Sequence, residues 1–170
     1  MKKLTFSLLI LLTSIAAFGQ KYAFVDSEYI LGNIPKYKAA QDELDKLSDQ
    51  YQNEVKTLTD EIDKMYHDYQ AEKVLLTDDM KAKREEQIVT KEKEAKKLQN
   101  DYFGEDGLLN KKRQELVKPI QDEVYNAVKQ IANEGGYAVI FDSSSGPAML
   151  YTNPRYDISD EVLQKLGYKN

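Results

Sequence analysis

The sequence predicts an α+β protein: a small β body of three short strands with packing helices, and a long antiparallel coiled-coil hairpin arm. Three observations predict it. Apolar residues fall at Tyr37, Ala40, Leu44, Leu47, Tyr51, Val55, Leu58, Ile62, Met65 and Tyr69, in steps of three and four, which is the spacing of a coiled-coil seam. Thr77-Asp78-Asp79 then restarts a helix, with a capping hydroxyl and two carboxylates at the positive end of a new dipole. Finally, two β-prone runs, Tyr22–Asp26 and Tyr137–Asp142, are separated by mostly helical sequence, and so short a strand needs a partner.

Taken in order, Lys2 and Lys3 precede an apolar run, Leu4 to Phe18, that ends in small residues. This is the pattern of a secretory signal peptide, residues 1–19, too short for a spanning helix. The mature chain is expected to start at Gln20, with cleavage after Ala16 or Ala17 the competing choices. Tyr22–Asp26 is the first strand, and Ser27 caps a short helical turn, Glu28 to Leu31. Gly32-Asn33 ends that turn. Pro35 suits the first turn of the outbound helix because it lacks an N–H.

The outbound seam carries one extra four-residue step, Tyr51 to Val55, a stutter that locally unwinds a left-handed supercoil. On the return half Met80, Ile88, Ala95, Leu98, Tyr102, Leu109, Leu116 and Ile120 continue a looser helical pattern up to and past Pro119. Pro35 and Pro119 are equidistant from Thr77, so the two arms match, each reaching ~60 Å at ~1.5 Å per residue. Phe103-Gly104-Glu105-Asp106-Gly107 interrupts the return helix, each glycine costing ~1 kcal/mol relative to alanine. Folding about Thr77 sets Phe103 opposite Tyr51. Gly104 and Gly107 therefore read either as an arm hinge or as a local bulge.

Beyond Pro119, Ile120, Val124, Ala127, Val128 and Ile131 give the apolar face of a body helix that ends at Asn133-Glu134-Gly135-Gly136. Tyr137–Asp142 is the second strand, Ser143–Pro147 a turn, and Ala148–Thr152 a third strand completing a hairpin. Ser159 caps a final helix, with Ile158 stapling onto Leu163. The expected division is a body of residues 20–34 and 119–170 and an arm of residues 35–118, its tip near 75–79. Three short strands with apolar residues on both faces leave open edges, which oligomerisation covers.

The 170-residue chain has no Cys, which excludes disulfides, thiolate metal sites and a lipidated N-terminal cysteine. Its net charge of −5 becomes −7 without Lys2 and Lys3. That balance argues against nucleic acid, whose phosphates need clustered positive charge. No catalytic, metal or cofactor constellation is present. His67 stands alone on a helix face, Ser143-Ser144-Ser145-Gly146 is turn chemistry without a base, and no phosphate loop or dinucleotide fingerprint occurs. The chain does not read as an enzyme. Residues 36–76 carry 6 basic and 10 acidic side chains and residues 78–118 carry 11 and 10, so an acidic arm lies against a slightly basic one.

Tyr51, Tyr66, Tyr69 and Tyr102 either pack arm on arm or offer an adaptable surface to a polypeptide. Val74, Leu75, Leu76 and Met80 pose the same choice at the tip, between closing the turn and touching a client. Lys81, Lys83 and Arg84, Lys91 to Lys97, and Lys111 to Arg113 are local basic patches suited to intra-hairpin ion pairs.

The motifs Tyr22-Ala-Phe-Val-Asp26, Gly136-Tyr-Ala-Val-Ile-Phe-Asp142 and Asp157-Ile-Ser-Asp-Glu-Val-Leu-Gln-Lys-Leu166, on either side of a charged helical hairpin and joined by Pro119-Ile-Gln-Asp-Glu-Val-Tyr125, resemble the Skp/OmpH family of periplasmic chaperones. The resemblance implies a homotrimer whose bodies join in a small barrel and whose arms surround a cavity for unfolded outer-membrane proteins. It implies Phe24, Val25, Val139, Ile140, Phe141 and Leu150 as barrel-forming strand positions, and a periplasmic, ATP-independent holdase. The family's best-known members are strongly basic. This acidic chain departs from them, which disfavours lipopolysaccharide or membrane-surface binding and leaves attraction to acidic clients to the local basic patches at Lys81, Lys83 and Arg84, Lys91 to Lys97, and Lys111 to Arg113. A non-catalytic periplasmic scaffold is the alternative reading.

Overall fold

The structure, a computed structural model, describes residues 20–146 and 149–168, so the expected signal peptide lies outside the described residues. In chain order it contains β1 (Lys21–Val25), α1 (Ser27–Gly32), α2 (Pro35–Glu72), α3 (Asp78–Phe103), α4 (Leu108–Gly135), β2 (Tyr137–Asp142), a 3-10 turn (Pro154–Tyr156) and α5 (Ser159–Lys165). Two compact units result: residues Leu31–Glu123, and the residues up to Ile30 together with those from Val124 on. Among the described residues no helix is long and apolar enough to cross a membrane.

In the Leu31–Glu123 unit the expected hairpin forms. Leu75 N–H bonds to the Glu72 carbonyl at 2.8 Å to close the turn. Thr77 then caps α3, its hydroxyl accepting from Met80 N–H at 3.3 Å, with Asp78 and Asp79 in the first turn. All ten seam residues of α2 are buried or half-buried, and nearly every residue between them is exposed. Only Ala40, Leu44 and Tyr69 are fully buried, since a pair of helices covers only part of its own seam.

The return seam differs from the expected set. Met80 is 51% exposed, whereas Lys81, Ile88, Lys91, Ala95, Leu98 and Tyr102 are buried or half-buried. That heptad phase lies one residue beyond Met80, and two of its positions are lysines whose stems cover apolar surface while their ammonium groups reach outward. Lysines on the seam are what blurred the pattern in the sequence.

Pro119 does not begin a separate body helix. It sits inside α4, which runs unbroken from Leu108 to Gly135. The N–H that proline lacks would have met the carbonyl of Glu115, an exposed position where water can serve instead. Gly136 follows the helix at φ 66°, the left-handed C-cap that the sequence led one to expect.

In the other unit, β1 and β2 pair in parallel, with Tyr22 beside Val139, Ala23 beside Ile140 and Phe24 beside Phe141. A parallel pair requires a long crossover, and here the intervening helices provide it. The third strand expected at Ala148–Thr152 does not form among the described residues. Met149–Thr152 is irregular, and Ala148 lies outside the described residues. The free edge of β1 meets Asp157 in a single bridge, with Ile158 N–H bonded to the Phe24 carbonyl at 3.0 Å. Ala23, Val25, Ile30, Val124, Ala127, Ile131, Ile158, Val162 and Leu163 form the core of this unit.

Two expected caps are reassigned. Asp26, not Ser27, caps α1, its carboxylate accepting from Tyr29 N–H at 2.9 Å. Ser159 makes no cap bond for α5; its backbone N–H and hydroxyl both go to Asp157 Oδ1, at 2.9 and 2.6 Å.

Candidate functional site

Within the sheet, alternation of side chains separates the expected oligomerisation positions. Ala23 and Val25 turn inward, with Val25 buried in the core, and Ile140 sits on the same side, half-buried. Phe24, Val139 and Phe141 fall on the opposite face, where Val139 is 42% and Phe141 49% exposed. Tyr22 joins them, making an apolar outer face. A cavity of about 670 Å³ opens beside it, lined by Tyr22, Phe24, Tyr137, Phe141, Met149 and Tyr151 among others. Leu150, expected in a strand, belongs to none and is 99% exposed. Successive residues of one strand cannot share a face, so the expected barrel-forming strand positions divide between the two faces of the sheet.

At one end of this sheet the three motif segments meet in a polar junction. The Asp142 carboxylate accepts from Ser27 N–H at 3.2 Å, Ser27 Oγ at 2.6 Å, Ser144 N–H at 3.1 Å and Ser144 Oγ at 2.8 Å. Asp26 N–H donates to Ser159 Oγ at 2.8 Å, and Ser159 Oγ–H in turn donates to Asp157. Burial pushes the Asp142 carboxyl up, but the Ser27 and Ser144 donors outweigh it and hold the group below its ordinary value. Sequence reasoning treated Ser27 and Ser159 as local caps. Ser27 instead bonds to Asp142 and Ser159 accepts from Asp26, each more than a hundred residues away in the chain, and no local pattern points to those two bonds.

On the hairpin, Tyr69 is part of the seam. It is 4% exposed, its hydroxyl donates to Glu85, and that bond, followed by burial, pushes its pKa up to about 12. Tyr66 points out, 53% exposed. At the tip Val74 and Leu75 are 91% and 86% exposed, while Leu76 is half-buried against the turn. Of the tip cations, Arg84 reaches back across the hairpin to Glu72 at 3.4 Å and Lys81 pairs with Asp78 at 3.0 Å. Lys83 is exposed, and among the described residues it has no ion-pair partner. Lower on the arm Lys112 crosses from α4 to Glu43 at 3.2 Å. Both cross-hairpin pairs set a base on the return side against an acid on the outbound side, as the charge balance of the arms anticipates.

Gly104 and Gly107 lie in the break between α3 and α4, where Tyr102 and Phe103 close on Tyr51. The height match between Phe103 and Tyr51 inferred from the sequence is therefore real.

A family model described as outer membrane protein (OmpH-like) matches residues 21–166. In fold the chain is similar to a crystal structure from Caulobacter crescentus, a provisionally assigned outer membrane chaperone (OmpH-like). The TM-score is 0.64 and the identity 18%, with 86% of this chain and 83% of that one covered. No curated protein sequence matches the chain.

Proposed function

Because the chain belongs to the OmpH-like outer membrane protein family, we propose that it is an ATP-independent periplasmic holdase for unfolded outer-membrane proteins. It works without catalysis, as a homotrimer in which the outer sheet face of each copy is covered by its neighbours. The observation that carries the reading is the family match, which spans both units. The hairpin supports it. From Leu47 to Met65 the α2 seam is only half-buried, Tyr66 points outward, and Val74 and Leu75 stand exposed at the tip. Many such shallow contacts hold a client loosely, and several arms acting together raise the effective affinity without one deep pocket.

On this reading Tyr66, Val74, Leu75, Met80, Lys81, Lys83 and Arg84 touch client. Lys81 and Arg84 pair with Asp78 and Glu72, which among the described residues leaves Lys83 as the exposed cation of that group without an ion pair. The outer face of Tyr22, Phe24, Val139 and Phe141 is of the apolar kind that self-association buries.

The test is suppression of aggregation when a denatured outer-membrane β-barrel protein is diluted into buffer. The expected result is near-stoichiometric protection together with a native mass of three chains. Protection absent at every salt concentration would sink the chaperone reading. A monomer that still protects would sink only the enclosure by three arms. A fixed scaffold, by contrast, would bind one folded partner and leave unrelated unfolded clients to aggregate.

A further inference from the structure

From the geometry at the α3–α4 break we infer that this joint is a clasped one, held shut by Tyr51, Tyr102 and Phe103, and not a free hinge. Tyr51 on α2 and Tyr102 at the end of α3 stack with ring centroids 4.0 Å apart and planes 9° from parallel. Phe103 stands edge-on to both, at 6.3 and 6.4 Å. Among the described residues these are the ring–ring contacts of the chain, and all three sit at the single interruption of the return helix.

A second bond reinforces the stack. The Tyr102 hydroxyl donates to Glu54, three residues beyond Tyr51 on α2. Tyr102 is thus held to α2 by its ring face and by its tip. The Glu54 carboxyl is lowered by that bond first and by Gln50 second, against a smaller cost of burial. The grip falls where α2 takes its extra four-residue step, Tyr51 to Val55. A stutter unwinds the supercoil locally, and at this point both Tyr102 and Phe103 meet Tyr51.

The backbone of the break is compact as well. Gly104 N–H bonds to the Asn100 carbonyl at 2.8 Å, Gly107 N–H to the Gly104 carbonyl at 2.9 Å, and Lys111 N–H to the Gly107 carbonyl at 3.0 Å. A Cβ on Gly104 would lie 2.5 Å from the Asn100 carbonyl oxygen, and one on Gly107 2.6 Å from that of Tyr102. The glycines are needed for close backbone approach. Two glycines with no other restraint would leave α3 and α4 free to swing. The clasp pins the end of α3 to α2 directly before the break, so α3 can swing at the joint only when Tyr102 leaves Tyr51.

Amide hydrogen exchange on the full chain tests this. In Tyr51→Ala, exchange at Gly104, Gly107 and Lys111 is expected to rise about tenfold, the loss of one aromatic pair read as local opening. Exchange at Lys81 near the tip and at Ile158 in the other unit stays as it was. Tyr51→Phe keeps the ring and should keep the protection. Tyr51→Leu, which preserves an apolar seam residue should the alanine variant misfold, should lose it. Unchanged exchange at the three amides in the leucine variant, or acceleration equal at Lys81 and Ile158, would overturn the clasp.

Discussion

Tyr69 and Glu85 are joined across the hairpin, the phenol hydroxyl of one donating to the carboxylate of the other. The bond lets a tyrosine occupy a buried seam position, because its one polar atom finds an acceptor at the edge of the seam.

Ionising Tyr69 breaks that bond and sets two negative charges together, which is why its pKa rises from 10.0 to about 12. The stability it contributes is complete below the unfolded value of 10.0 and is lost as pH climbs through the folded one. The difference in phenolate absorbance between the native protein and Tyr69→Phe should therefore show a midpoint well above 10.0. A difference titration centred at the unfolded value would show the bond to be absent in solution.

Leu44 and Ile88 are 3% and 5% exposed, so truncating either leaves a void in a seam with few neighbours to collapse into it. Leu44→Ala or Ile88→Ala should each cost about 2–5 kcal/mol in denaturant unfolding. Tyr66→Ala removes an outward-facing ring and should stay within about 0.5 kcal/mol of the native protein. Equal losses in all three would contradict the assignment of the seam.

Asp142 gathers four donors, so Asp142→Asn should destabilise the β-containing unit by about 1 kcal/mol or somewhat more. Its folded carboxyl titrates below the ordinary 3.8. The stabilising contribution is therefore present above pH ~4 and disappears as pH falls through the lower folded value. The native protein should lose thermal stability on acidification below pH ~4 more steeply than the asparagine variant. Parallel pH profiles would remove Asp142 from the acid response.

Gly107 is buried, and a methyl group there meets backbone rather than a flexible side chain. Gly107→Ala should cost about 1–3 kcal/mol, the range for overpacking. The alternative is that alanine heals the break into continuous helix, which circular dichroism would report as a gain in helicity. The compact turn described here predicts the loss.

The seam of α2 was legible residue by residue because helical periodicity is a property of neighbours three and four apart. The Thr77 restart and the Gly136 cap were legible for the same reason, each depending on groups within one turn. The return seam was harder. Lys81 and Lys91 occupy core-facing phases, and a lysine gives no hydrophobic signal even when its stem is half-buried. At Pro119 the helix runs on, because one missing hydrogen bond at an exposed turn is tolerated where Val117, Ile120 and Val124 are buried.

By itself the sequence determined the helices, their turn, the acidic and basic sides of the hairpin, and the two runs able to be strands. All of these follow from steric and electrostatic preferences acting over a few residues. Only the tertiary structure decided that β1 pairs in parallel with β2 and bridges to Asp157, with no third strand at Met149–Thr152. It also decided that Ser27 bonds to Asp142 and that Ser159 accepts from Asp26, neither capping its own helix, and that Tyr102 lands on Tyr51. Those outcomes depend on which distant groups the folded chain brings within bonding distance, and a hydroxyl or an aromatic ring satisfies a remote partner as readily as a local one.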